Sequence, residues 1–270
     1  MPYYRANDLD IFYELHGQGD PILLIHGVTG TGQSHWKHQI PVFSERFQLI
    51  VPDLRGHGRT DHPETITGPS FFELAVSDLV ALVSFLDLGP AHVCGFSMGS
   101  GLASWFVHAA PSLVKSLILV SSAARVNRDI GKGLFDLWQK LGDLGNVGTS
   151  WAEKLTRLHG EQQWPVLLQN YSAAVIARFD QDEDIVYRRA SEITCPTLIV
   201  QGGKDLVNPP PLSEELLARI PDSEMVILDC EHWVPGLLPQ EFNEAVLDSL
   251  DRRFPQQGSP VEDPRGLVDA

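Results

Sequence analysis

The chain has 270 residues, 43% of them hydrophobic, and carries 35 acidic against 20 basic side chains for a formal net charge of −15. That length suits a single α/β domain with an insertion, and the acidic balance argues against nucleic acid and anionic membrane surfaces as partners. Cys94, Cys195 and Cys230 are odd in number and lack both C-x-x-C and metal-type spacing, so they read as small buried hydrophobes. The start has no basic segment followed by an apolar one, and no apolar run approaches the ~18 residues that span a bilayer, so a soluble cytoplasmic protein is expected.

In chain order, "LDIFYELHG" predicts a strand and a turn. "DPILLIHG", "FQLIVPD", "AHVCGFS" and "LVKSLILVSS" predict four more strands, and "CPTLIVQGGKD" and "SEMVILDC" two late ones. Helical patterns lie between and after them, in "SFFELAVSDLVALVSFLDLG", "GLASWFVHAA", "PLSEELLARI" and "PQEFNEAVLDSLDRRF". Such alternation predicts a mostly parallel sheet with helices on both faces. The rhythm breaks over 123–193, which lacks strand-like runs and carries Trp138, Trp151, Trp164 and Tyr171. It reads as a helical insertion over the sheet, its aromatics either packing the insertion itself or facing a cavity beneath. Residues 1–122 and 194–254 then form the core, and 255–270 a loose tail rich in Pro, Gly and charge.

In open α/β sheets, sites form beyond the carboxyl ends of strands. His26, Gly27, Asp53, Ser97, Asp205 and His232 all fall at such ends. Ser97 has glycine two residues before it, Gly95, and two after it, Gly99. A strand turning directly into a helix strains the residue at the turn and presses those neighbours together, which is the G-x-S-x-G nucleophile elbow; a plain glycine-rich loop is the alternative. A serine hydroxyl needs a base, and the base an orienting carboxylate. His232, after the last strand, is placed best for the base. Asp205, after the preceding strand, is placed for the acid unless it only caps a helix, and Asp129 is the fallback. The order Ser, Asp, His suits the elbow.

Acyl transfer also needs donors for the oxyanion. The Met98 N–H stands at a helix N-terminus, and "HGVTGTG" offers a second, at Val28. That loop matches neither phosphate-binding glycine pattern. His26 reads as structural, Arg55 and His57 as loop organisers, and Asp182 and Asp184 as part of a solvated acidic face. His35 and His38 have no third ligand for a metal.

"HGVTG", "PDLRGHGRTD", "GFSMGSG", "GGKD" and "EHWVPG", in that order, together resemble the α/β-hydrolase superfamily over nearly the whole chain except the insertion and tail. The resemblance implies an eight-stranded, mostly parallel sheet with a helical cap between strands six and seven. It implies an acyl-enzyme on Ser97, with Val28 and Met98 as oxyanion donors, and no cofactor. A serine at the elbow is unlike the aspartate of haloalkane dehalogenases and epoxide hydrolases. Glu231 stands where a glycine usually precedes the histidine. His232 and Trp233 are similar to the "HW" of carbon–carbon hydrolases, although the residues after them are not.

The expected activity is hydrolysis of small to medium carboxylic esters or lactones. Trp138, Trp151, Trp164, Tyr171 and Trp233 are the pocket candidates. The alternatives are a carbon–carbon hydrolase of aromatic ring-cleavage products and a slow-turnover small-molecule receptor.

Overall fold

The computed structural model describes residues 2–7, 9–62, 70–123, 136, 139–180 and 187–255. Trp138, Asp129, Asp182, Asp184 and the tail beyond 255 lie outside the described residues.

Eight strands form one sheet in the order β1-β2-β4-β3-β5-β6-β7-β8. They are β1 (Tyr3–Ala6), β2 (Leu9–His16), β3 (Asp20–Ile25), β4 (Phe47–Pro52), β5 (Ala91–Phe96), β6 (Val114–Val120), β7 (Thr197–Gly202) and β8 (Ser223–Leu228). Only the pairings of β2 with β1 and with β4 are antiparallel. Seven strands coincide with the runs read from sequence. The eighth, β1, has four residues and no apolar alternation of its own; it exists because it pairs Tyr3 with Phe12 on β2.

The central strands are apolar along their length because both faces are covered. Alternate residues of β3 sort into two cores: Leu23 and Ile25 face Leu102 and Phe106 of α4 (Met98–Ala109) and Leu79 of α3 (Ser70–Leu86). Ile22 and Leu24 join the opposite core with Trp36 of α1 (Gly32–Trp36), Phe43 of α2 (Ile40–Phe43) and Phe242. This is the period-2 alternation of a strand between two helical layers.

Between β6 and β7 the described residues contain α5 (Thr149–His159) and α6 (Gln163–Asp180) and no strand. Leu155, Leu168, Tyr171 and Val175 from these helices join the same apolar cluster as Val28 and Met98. The chain ends in α7 (Pro210–Leu217), α8 (Val234–Leu237) and α9 (Pro239–Arg253). No helix among the described residues is long and apolar enough to cross a membrane.

Candidate active site

Because β3 to β8 run parallel, their carboxyl ends share one edge, and the residues following each strand meet there. Ser97 sits between β5 and α4 with φ 55 and ψ −118, a backbone rarely held by a side-chain-bearing residue. The flanking glycines show why the sharp turn is possible. A Cβ on Gly95 would overlap the Gly99 carbonyl and stand 2.8 Å from Ser100 Cα. A Cβ on Gly99 would overlap the Ile25 carbonyl oxygen and stand 2.7 Å from that of His26. The Ser97 N–H donates to the Val120 carbonyl at 2.9 Å, tying the turn to β6. Ser100 Oγ donates to the Ser97 carbonyl at 2.6 Å, closing the first turn of α4.

His232 and Asp205 converge on that serine. His232 Nε2 lies 2.8 Å from Ser97 Oγ, and His232 Nδ1 lies 2.7 Å from Asp205 Oδ2. Asp205 accepts only, so Nδ1 carries the proton and Nε2 accepts from the serine hydroxyl. Asp205 is buried, and its other oxygen accepts the Val207 and Asn208 N–H groups at 2.8 and 2.9 Å. The helix-cap alternative is not realised, since α7 is preceded by Pro209 with no side-chain cap; one Asp205 oxygen organises the loop and the other holds the imidazole. Gln201 Nε2 adds a bond to Asp205 Oδ2 at 3.3 Å and is itself held by Ser213, whose hydroxyl donates to Gln201 Oε1 at 2.6 Å.

Sequence reading missed Ser121. Its φ of 49 places it in the left-handed region at the end of β6, its Oγ donates to the His232 carbonyl at 2.7 Å, and its own carbonyl accepts from Asn208 Nδ2 at 2.7 Å. It ties the histidine loop to the acid loop; the only sequence signal is its position directly after a strand. Glu231, in the place of a glycine, is exposed and has no positive φ, so the turn needs no glycine there.

The loop from His26 to Thr31 is gripped by buried histidines. His26 Nδ1 donates to the Gly27 carbonyl at 2.8 Å while its Nε2 accepts the Leu54 N–H at 2.9 Å. His35 Nδ1 accepts the Gly27 N–H at 3.1 Å. His57 places its two ring nitrogens 2.9 Å from the Arg55 and Val28 carbonyls. The Gly27 carbonyl and Val28 N–H belong to one trans peptide plane and point oppositely, so the bond from His26 turns the Val28 N–H away from that ring. No acceptor for the Val28 or Met98 N–H is found among the described residues.

Burial pushes His26 and His35 down to about 3, the latter helped by the Lys154 ammonium, and holds His57 well below the ordinary histidine value. The His26 contacts, with one donor and one acceptor nitrogen, are those of a neutral ring. Asp53 fixes the end of the loop, where α1 begins, by accepting the Gly32 N–H at 2.9 Å, and also accepts the Arg59 N–H at 3.0 Å; burial raises its carboxyl. Arg55 forms a buried ion pair with Asp78 at 2.6 Å.

The pocket candidates part company. Trp233 lies next to His232, its ring 6.1 Å from that of His35. Tyr171 is buried against Phe71 and Phe72, at ring separations of 6.3 and 5.9 Å. Trp151 and Trp164 are half-buried against the same core. An unforeseen contact comes from α5: His159 Nδ1 accepts the Gly58 N–H at 3.1 Å, and its Nε2 stands 3.5 Å from the Thr29 carbonyl. No metal-ligand cluster occurs among the described residues.

The chain belongs to the alpha/beta hydrolase fold family, whose pattern it matches over residues 20–155. It is 28% identical to RutD of Azorhizobium caulinodans, a protein named provisionally as a carbamate hydrolase, over 92% of this chain and 97% of that one. It is 27% identical to 3-oxoadipate enol-lactonase 2 of Acinetobacter baylyi, over 92% and 96% of the two chains. The enol-lactonase from Burkholderia xenovorans LB400 superposes with a TM-score of 0.74 at 22% identity, over 92% of this chain and 99% of that one. Membership of the family and these relatives support a hydrolase activity.

Proposed function

We propose that the chain is a serine hydrolase of carboxylic esters or lactones, acting on small-molecule substrates through an acyl-enzyme on Ser97. The observation that carries the reading is the unbroken line from the buried Asp205 carboxylate through His232 to Ser97 Oγ, at 2.7 and 2.8 Å. As Ser97 Oγ attacks the carbonyl carbon, His232 Nε2 takes the hydroxyl proton, and Asp205 stabilises the imidazolium that forms. The Val28 and Met98 N–H groups receive the oxyanion. Collapse of the tetrahedral intermediate breaks the bond to the alcohol oxygen, which takes the proton from His232. Water activated by the same histidine then returns Ser97 and releases the acid; a lactone opens to one hydroxy acid.

In this reading residues 1–122 and 194–254 form the catalytic core, 123–193 a cap over the serine, and 255–270 an appendage. The relatives that support an ester or lactone are the enol-lactonase and, for a neighbouring acyl bond, RutD. The deciding experiment is a panel of esters and lactones graded by chain length, run beside a carbamate and a vinylogous diketone from aromatic ring cleavage, with wild type and Ser97→Ala. Fastest turnover of an ester or lactone, lost in Ser97→Ala, is the expected result. A carbamate or diketone turned over fastest overturns the substrate class, and slow turnover of every compound favours the receptor reading.

A further inference from the structure

Three elements meet at one aromatic ring, that of Trp233. Trp233 follows His232 directly, its indole is 6.1 Å from the His35 ring, and His35 is 5.2 Å from Phe96, the residue before Ser97. Gly236 lets α8 close on the indole, since a Cβ there would overlap it. Lys37, at the end of α1, holds Nζ 5.6 Å from the indole centroid, and Lys154, on α5, holds its Nζ 5.9 Å from the same centroid.

Neither lysine has a carboxylate partner among the described residues. Other cations of this acidic chain do: Arg55 pairs with Asp78, Arg59 with Glu14, Lys115 with Asp20 and Lys204 with Asp229. Two like charges at one ring repel each other, and a cation over an indole at a wet site recovers only about 0.5–1 kcal/mol. Lys154 is also half-buried. The indole N–H of Trp233 is buried and has no acceptor. A buried donor without an acceptor carries a cost. A ligand oxygen that accepts from it removes that cost.

We infer that Lys37, Lys154 and Trp233 form a carboxylate subsite, so that the preferred substrate is an ester or lactone bearing a free carboxylate away from the bond that is cut. The inference rests on the hydrolase reading above. A carboxylate matches what is offered: two oxygens, one negative charge to separate two ammonium groups, and one N–H to accept from. It also explains how a chain of net charge −15 admits an anion, since the two unpaired lysines stand at the indole that follows His232.

The test uses two esters of equal length, 4-nitrophenyl pentanoate, which ends in a methyl, and 4-nitrophenyl hydrogen glutarate, which ends in a carboxylate. Wild type should favour the glutarate ester. In the Lys37→Gln/Lys154→Gln double variant the glutarate-to-pentanoate ratio of kcat/KM should fall about tenfold, the scale of two partly exposed ion pairs, mostly through KM. Lys154→Arg alone should keep the ratio high, and added salt should lower it only where the lysines are present. A ratio equal in wild type and double variant overturns the subsite.

Calorimetric titration of glutarate and of inorganic phosphate into Ser97→Ala protein, with and without the two lysine changes, separates this inference from the reaction. Glutarate binding that the lysine changes weaken, with neither ester hydrolysed by wild type, keeps the subsite and overturns the hydrolase reading. Hydrolysis of both esters with glutarate binding unaltered by the lysine changes does the reverse. Lysine-dependent binding of phosphate in preference to glutarate overturns the carboxylate assignment.

Discussion

Ser97 holds a backbone conformation that costs about 1–3 kcal/mol and persists only where its surroundings over-determine it. They do: the Val120 carbonyl anchors its N–H, Ser100 its carbonyl, and two glycines leave room for the turn. The strain holds Oγ beside His232. Ser97→Ala should lower kcat by about 10⁴ or more with the fold intact, and a fluorophosphonate that labels wild type should spare the variant; equal labelling of both would place the nucleophile elsewhere. Gly99→Ala sets a methyl against the Ile25 and His26 carbonyls and should cost about 3 kcal/mol or more, since neither backbone can yield. Gly148→Ala is the control: nothing lies within 4 Å of its Cβ position, so its loss should stay within about 1 kcal/mol. Equal melting temperatures for the two variants would show that the elbow is not tightly packed.

At the scale of the element, α5 and α6 contribute no strand and still reach the core. His159 closes α5 with an acceptor for the Gly58 N–H, and Tyr171 of α6 stands on α3. The aromatics of α5 and α6 therefore divide by burial. Tyr171→Ala should act as a core truncation, costing about 3–5 kcal/mol of stability. Trp151→Ala and Trp164→Ala remove half-buried rings, and at least one should shift the kcat/KM ratio of a short to a long ester by about tenfold, roughly 1.4 kcal/mol. Thermal melts beside the ester series decide this; stability losses with no change of ratio would confine both tryptophans to holding the insertion together.

Over the whole molecule, a set of histidines is kept neutral by burial. His26 and His35 are pushed down to about 3, and His92 and His159 to about 4. An unfolded chain protonates them near 6.5, while the folded chain resists until about 4 or 3. Their stabilisation is therefore present above pH 6.5 and is lost as the pH falls from there. Each costs about 1.4 kcal/mol per pH unit, so at pH 5 together they approach the roughly 5–15 kcal/mol by which a domain is stable. The melting temperature should fall steeply below pH 6, with uptake of several protons on unfolding measured by calorimetry in buffers of different ionisation enthalpy. A flat melting temperature from pH 7 to 5 would contradict the neutral burial of these rings.

What the sequence determined by itself is what short-range sterics and period can encode. Gly95, Ser97 and Gly99 announce the elbow because the crowding they relieve arises within five residues, and the apolar runs announce seven strands, the central ones because burial on both faces demands them. Ser97, Asp205 and His232 were legible as strand-end residues in a fixed order. Strand β1 was not, because a four-residue strand draws its stability from its partner. Nor were Ser121 beneath His232, Gln201 beside Asp205, His159 on the Gly58 loop, or the two lysines at Trp233. Each depends on which distant loops the sheet order brings to one edge, at separations such as the 101 residues between Gly58 and His159. A residue's own neighbours in sequence carry no record of such a partner, so only the tertiary structure decided how the site is held and charged.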